Sequence, residues 1–150
     1  MQEQGGVPWL GMSLEAGATA PELGLERPAT RVLVIDDSNT IRRSAEIFLK
    51  QGGCEVVLAE DGFEGLSKLN DHHPQLVFCD ILMPRLDGHQ TCSIIKRHPR
   101  FAAVPVIMLS TKSGVFDRAR ARMVGSEGYL TKPFTKDQLL QVVAQFCGAA

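Results

Sequence analysis

Residues 75–88 read QLVFCDILMPRLDG. Leu76, Val77, Phe78 and Cys79 form the kind of short apolar run that makes a buried strand. That run delivers a carboxylate, Asp80, and is followed by two backbone breakers, Pro84 and Gly88. Aspartate is a poor strand residue and no helix-cap pattern follows it, so Asp80 has to be explained by something other than packing. Pro84 and Gly88 are expected to turn the chain away and leave the carboxylate exposed at a sheet rim.

The same pattern repeats along the chain. Short apolar runs lie at 32–35, 56–58, 76–79, 104–109 and 128–130. Between them, segments of helical period run over about 39–51, 62–70, 88–97, 115–124 and 136–146. In the first of these, Ile41, Ala45, Phe48 and Leu49 share a face, and Gly52-Gly53 is its stop. Continuous apolar strands separated by single helices imply a parallel sheet covered on both faces. Five such units predict a doubly wound α/β fold with strand order 2-1-3-4-5 and a switch point between strands 1 and 3.

Residues 1–30 stand apart, with five Gly, three Pro and four Glu against a single Arg. They are expected to be a flexible tail, and 31–148 one folded domain. Trp9, Leu10, Met12 and Leu14 could form a docking motif, although a plain extension accounts for them as well. The formal net charge of −1 predicts no field that would gather nucleic acid or an anionic membrane. Cys54, Cys79, Cys92 and Cys147 form no CxxC pair and read as small buried hydrophobes in a reducing compartment. No apolar stretch approaches the roughly 20 residues needed to span a bilayer, and the first residues make a poor signal peptide, so a cytoplasmic protein without membrane insertion is expected.

In open α/β sheets the ligand crevice lies beyond the carboxyl ends of the strands at the switch point. The first strand ends in Asp36-Asp37, the third in Asp80 and the fourth in Ser110, while Lys132-Pro133 follows the fifth. Neighbouring strands are ~4.8 Å apart, so these side chains should meet at one rim. The acid pair alone could merely cap the next helix, a task open also to Ser38 or Asn39. The joint placement argues instead for a site. Two carboxylates 4 Å apart repel by roughly 4 kcal/mol at an effective dielectric near 20. Three of them call for protons or a cation, and an all-oxygen donor set suits Mg²⁺. Such a site can bring a small dianion to one carboxylate. In that scheme Asp80 is the nucleophile for a phosphoryl group. Asp37, assisted by Asp36, holds the cation, with Asp80, the Leu82 carbonyl and water completing its shell. Lys132 and the Ser110 hydroxyl take the remaining oxygens.

IDD (35–37), CDILMPRLDG (79–88), MLS (108–110) and YLTKPF (129–134) together resemble the receiver domain of two-component response regulators. The resemblance implies a CheY-like, flavodoxin-like fold over 31–147, a phosphoacceptor at Asp80, metal binding at Asp36 and Asp37, and phosphate binding at Ser110 and Lys132. It also implies a cis Lys132-Pro133 bond and a rotameric switch at Tyr129, which would swing into the space that Ser110 leaves. TIRRSAE (40–46), PRLDGHQTC (84–92) and LSTKSGVFDRARARMVGSEGYLTKPF (109–134) are similar to the single-domain regulators of type IV pilus twitching motility. That implies a CheA-like histidine kinase as donor and pilus machinery as output partner, engaged through the fourth helix, fifth strand and fifth helix. In the family, the side chains two after the phosphoacceptor and two after the hydroxyl flank the path of the hydrolytic water. Here they are Leu82 and Lys112, which implies slow autodephosphorylation. Thr111 is larger than the family's usual residue and narrows access to the phosphate.

Rival readings are weaker. Haloacid-dehalogenase-like phosphatases use a similar set of groups, but their nucleophile ends the first strand in a D-x-D pattern, and here Ser38 stands two after Asp36. A docking module that needs no phosphorylation would tolerate loss of Asp80. Arg118 and Arg122 are expected to point outward together, with Arg120 nearer the border, as a solvated face. His72, His73, His89 and His98 show no ligand spacing and read as surface residues.

Overall fold

The computed structural model describes residues 29–111 and 115–148. Residues 1–28 of the expected tail, and Lys112, lie outside the described residues. The elements run β1 (Arg31–Ile35), α1 (Asn39–Gln51), β2 (Glu55–Ala59), α2 (Gly62–His72), β3 (Leu76–Asp80), α3 (Gly88–Arg97), β4 (Val106–Ser110), α4 (Val115–Met123), β5 (Gly128–Thr131) and α5 (Lys136–Cys147). All strand pairs are parallel and the sheet order is β2-β1-β3-β4-β5, the doubly wound arrangement expected from the sequence. Among the described residues no helix is long and apolar enough to cross a membrane.

The period-two geometry of the strands splits the core in two. Leu33, Ile35, Val77, Cys79, Val106 and Met108 face one helical layer. Val32, Val34, Leu76, Phe78, Ile107 and Leu109 face the other, which contains α1 and α5. Every one of these twelve is at most 1% exposed, which is why β1, β3 and β4 read as unbroken apolar runs. Burial of each contributes roughly 1.5–3 kcal/mol, so the three central strands form the rigid frame on which the rim is mounted. Edge strands β2 and β5 are only half-buried and their sequences are correspondingly mixed.

The start of β4 differs from expectation. β4 begins at Val106 because Pro105 has no N–H for the ladder; its carbonyl instead accepts from Val77 N at 2.9 Å. Asp80 and Ser110 are the last ladder residues of β3 and β4, as expected, with Asp80 registered against Leu109 and Ser110 against Thr131. Their backbones are therefore held by the sheet.

The breakers after Asp80 now have a physical role. Leu86 N donates to Pro84 O, and Gly88 N donates back to Ile81 O, each at 2.8 Å. That return brings the first turn of α3 against the end of β3. A Cβ on Gly88 would lie 2.3 Å from the Asp80 carbonyl oxygen and 2.7 Å from Ile81 Cα. Only glycine allows so close a backbone approach. Asp87 then caps α3 in a reciprocal box with Gln90.

His89 departs from the surface reading. It is 4% exposed, and its Nε2 has no hydrogen-bond partner. The helix that brings Gly88 against β3 turns the next residue inward too. Cys54, Cys79 and Cys92 are buried as expected, Cys147 is half-buried, and all four are free thiols.

Replacing Gly88 with Ala is expected to destabilise the domain by about 1–3 kcal/mol, the usual range for overpacking against atoms that cannot yield. A urea midpoint equal to wild type would show that the β3–α3 return is softer than this contact implies.

Candidate functional site

The site begins where β1 runs out. Asp36 N still bonds Ala59 O at 3.1 Å, so its backbone continues the sheet by one step. The Asp36 side chain is wholly buried. Its Oδ1 accepts from Ser38 N at 2.9 Å and its Oδ2 faces Lys132 Nζ at 3.1 Å. Asp37 is exposed. Ser38 takes the capping role, accepting from Ile41 N at 3.3 Å, so neither acid is spent on starting α1.

Lys132 joins the strand ends. Its ammonium also lies 3.1 Å from Asp80 Oδ1, making a triad of Asp36, Lys132 and Asp80 drawn from β1, β5 and β3. Asp36, Asp37 and Asp80 each offer a carboxylate oxygen within 4.8 Å of the others. Asp80 is 4% exposed, which corrects the expectation of an open carboxylate: Lys132 and the two other acids close over it. The Lys132–Pro133 peptide bond is cis.

The charges do not balance. Asp80 is pushed up from 3.8 to about 6, first by burial and then by the Asp36 charge, with Lys132 pulling the other way and the hydrogen bond that protonated Asp80 donates to Asp37 adding to the rise. Burial acts to lower Lys132, but Asp36 and Asp80 beside it outweigh burial and raise it. Among the described residues, one ammonium therefore faces three carboxylates and does not satisfy them. A second cation relieves the excess, and three convergent oxygen donors with no thiol or imidazole among them fit Mg²⁺.

The other expected residues take their places around this cup. Ser110 is 3% exposed at the end of β4. Thr111, just beyond it, is exposed, and Leu82 is 64% exposed. Tyr129 is half-buried against the core. Arg118 is exposed as expected and also lies over the Tyr129 ring, with Cζ 5.7 Å from its centroid. Arg120 and Arg122 are exposed.

Two residues escaped sequence reasoning. Arg42, on the first turns of α1, donates from Nη1 to the Asp36 carbonyl at 2.6 Å and from Nη2 to Asn39 Oδ1. It ties the turn that carries the acids to the helix that follows. Arg85 bonds Asp61 across the β3–α3 loop. Neither contact leaves a signal in the sequence, because a lone arginine looks the same whether it is solvated or tethered.

Comparison with known proteins adds independent findings. A family model described as the response regulator receiver domain matches residues 32–144. Protein PilG of Pseudomonas aeruginosa is 58% identical over 113 residues, covering 75% of this chain and 84% of that protein. The probable transcriptional regulator ycf27 of Porphyridium aerugineum is 40% identical over 109 residues, 73% of this chain and 44% of the relative. The chain thus spans less than half of that larger protein. The solved structure of the chemotaxis protein CheY4 of Vibrio cholerae aligns with a TM-score of 0.76 at 28% identity, covering 79% of this chain and 99% of that one.

The raised Asp80 makes a pH prediction. The native state holds the Asp80 proton more tightly than the unfolded chain, so this group's contribution is full below 3.8 and is lost as pH rises through about 6. Without divalent cations, Asp80→Asn should therefore be more stable than wild type at pH 7, on the order of 1–3 kcal/mol. The advantage should shrink as pH falls toward 4. Urea melts at several pH values read it directly, and a difference independent of pH would contradict the assignment.

Proposed function

Because the chain belongs to the response regulator receiver domain family, we propose that it accepts a phosphoryl group on Asp80 and signals by phosphorylation-dependent contact with another protein. The observation that carries this is the Asp80 carboxylate, fixed on the last rung of β3 with Lys132 at 3.1 Å and two further acids within ligand distance. A carboxylate so placed is a nucleophile in a site shaped for an anion's charge rather than for an organic substrate.

The donor is a CheA-like histidine kinase. One Asp80 oxygen attacks phosphorus as the bond from phosphorus to the donor imidazole nitrogen breaks, and the leaving imidazole takes its proton from solvent. Asp36, Asp37, Asp80 and the Leu82 carbonyl would hold Mg²⁺, which when bound supplies positive charge against the phosphoryl oxygens. Asp36 keeps Lys132 positioned by their ion pair, so that its ammonium meets the charge added to Asp80. The Ser110 hydroxyl donates to a phosphoryl oxygen, and Tyr129 fills the space that this movement vacates. Arg118, now stacked on Tyr129, feels that change on the outer surface.

The exposed Leu82 cannot orient a water, Lys112 offers no base and Thr111 narrows the approach. The phosphoryl group is therefore long-lived, and turnover is limited to self-phosphorylation and slow autodephosphorylation. The altered surface of α4, β5 and α5 is the contact face for a scaffold or component of the type IV pilus machinery, with twitching motility as the process served. The likeness to PilG supports this choice of pathway. The proposed place of action is the cytoplasm, with no nucleic-acid partner.

Acetyl phosphate with Mg²⁺ should add about 80 Da to the intact protein, and Asp80→Asn should abolish the gain. Absence of that increment in the wild type would overturn the reading. Decay of the labelled protein should be slow and should quicken when Leu82 is replaced by Asn.

A further inference from the structure

Arg85 occupies a backbone conformation that its side chain disfavours. Its φ is 67°, and among the described residues the other non-glycine at positive φ is His73, which ends α2. Glycine or asparagine suits such a position better. An arginine there has to be held by its surroundings, and two contacts are visible. Arg85 Nη2 donates to Asp61 Oδ2 at 2.8 Å, and its Cζ lies 5.4 Å from the Phe63 ring centroid. Both partners belong to the start of α2. Asp61 is the N-cap, and its other carboxylate oxygen accepts from Glu64 N at 2.8 Å, so the anchor is itself fixed.

The loop that Arg85 tethers runs from Ile81 to Asp87. Buried Ile81 and Met83 set the direction of its first half. In its second half Pro84 and Arg85 are exposed, and Leu86 rests on Gly62, an apolar contact without directional preference. The bonds from Leu86 N to Pro84 O and from Gly88 N to Ile81 O close within the loop and its junction with α3. A directional link from its middle to another element comes from Arg85. Within the first half, between Ile81 and Met83, lies Leu82, whose side chain is 64% exposed and cannot anchor its own peptide.

We propose that Arg85 is a positioning residue: its ion pair with Asp61 and its stacking on Phe63 clip the β3–α3 loop to the start of α2, and this clip sets the Leu82 carbonyl for the cation. The inference rests on the proposed receiver function, in which that carbonyl is a metal ligand. The left-handed backbone at Arg85 is what the clip demands: it turns the side chain toward α2, and the two contacts offset the disfavoured conformation.

Arg85→Asn tests it, because asparagine tolerates the left-handed backbone and cannot reach both partners. Asp61→Asn tests it from the other side, keeping a capping oxygen while discharging the ion pair. In both variants the urea midpoint should stay near wild type. The Mg²⁺ affinity, measured by titration calorimetry, should fall by about three- to tenfold, the size of one exposed ion pair plus one exposed cation–π contact. Amide exchange at Leu82, Met83 and Leu86 should accelerate. The double variant should lose little more than either single one. Unchanged loop exchange in both variants would overturn the clip. Faster exchange with unchanged Mg²⁺ affinity would overturn its role toward the carbonyl. Wild-type protein that takes up no Mg²⁺ would instead refute the site reading, and the exchange data would still decide the clip.

Discussion

The governing constraint is electrostatic. Three carboxylates share one small rim, and among the described residues a single ammonium stands with them, 3.1 Å from two of the three. Left to themselves the acids would separate or take up protons, and the raised Asp80 is the visible sign of that pressure. They stay together because they are mounted on adjacent parallel strands whose side chains are almost wholly excluded from water. The sheet's apolar burial holds an arrangement that charge alone would break apart. The excess negative charge suits the cup to a cation.

Much of the remaining architecture defends that arrangement. Ser38 caps α1, leaving the acids unspent. Gly88 lets α3 start against the Asp80 backbone, closing the site from behind. Capping boxes at Asp87 and Thr135 begin the helices on either side. Lys96 reaches the Ala102 and Val104 carbonyls and Glu127, whose second oxygen accepts from Val106 N, so the approach to β4 is braced at the opposite end of the sheet. Arg42 and Arg85 act on the two loops that carry the acids and Leu82.

The sequence was most legible where physics is local or where a period repeats. Elements with strong periodicity, such as β1, β3 and α1, came within a residue of their observed limits, because burial on both faces forces an unbroken apolar run. The beginning of β4 was missed because the apolar character of Val104 masked the missing donor of Pro105. His89 was misread because the close approach of α3 to β3, a tertiary fact, decides which residues turn inward. Arg118 is exposed as expected, and its contact with the Tyr129 ring was not legible because that ring comes from a different element.

By itself, the order of residues determined the succession of strands and helices, their parallel pairing and which five side chains stand at strand ends, since these follow from hydrophobic period, chain reversals and the right-handed crossover. Tertiary structure alone decided what those ends do to one another. That Asp36 is wholly buried and paired while Asp37 faces water, that Asp80 is covered rather than open, and that single arginines clamp the turns are all distances between groups from separate elements. Coulomb energies and hydrogen bonds depend on those separations to within an ångström, and no one-dimensional pattern carries them.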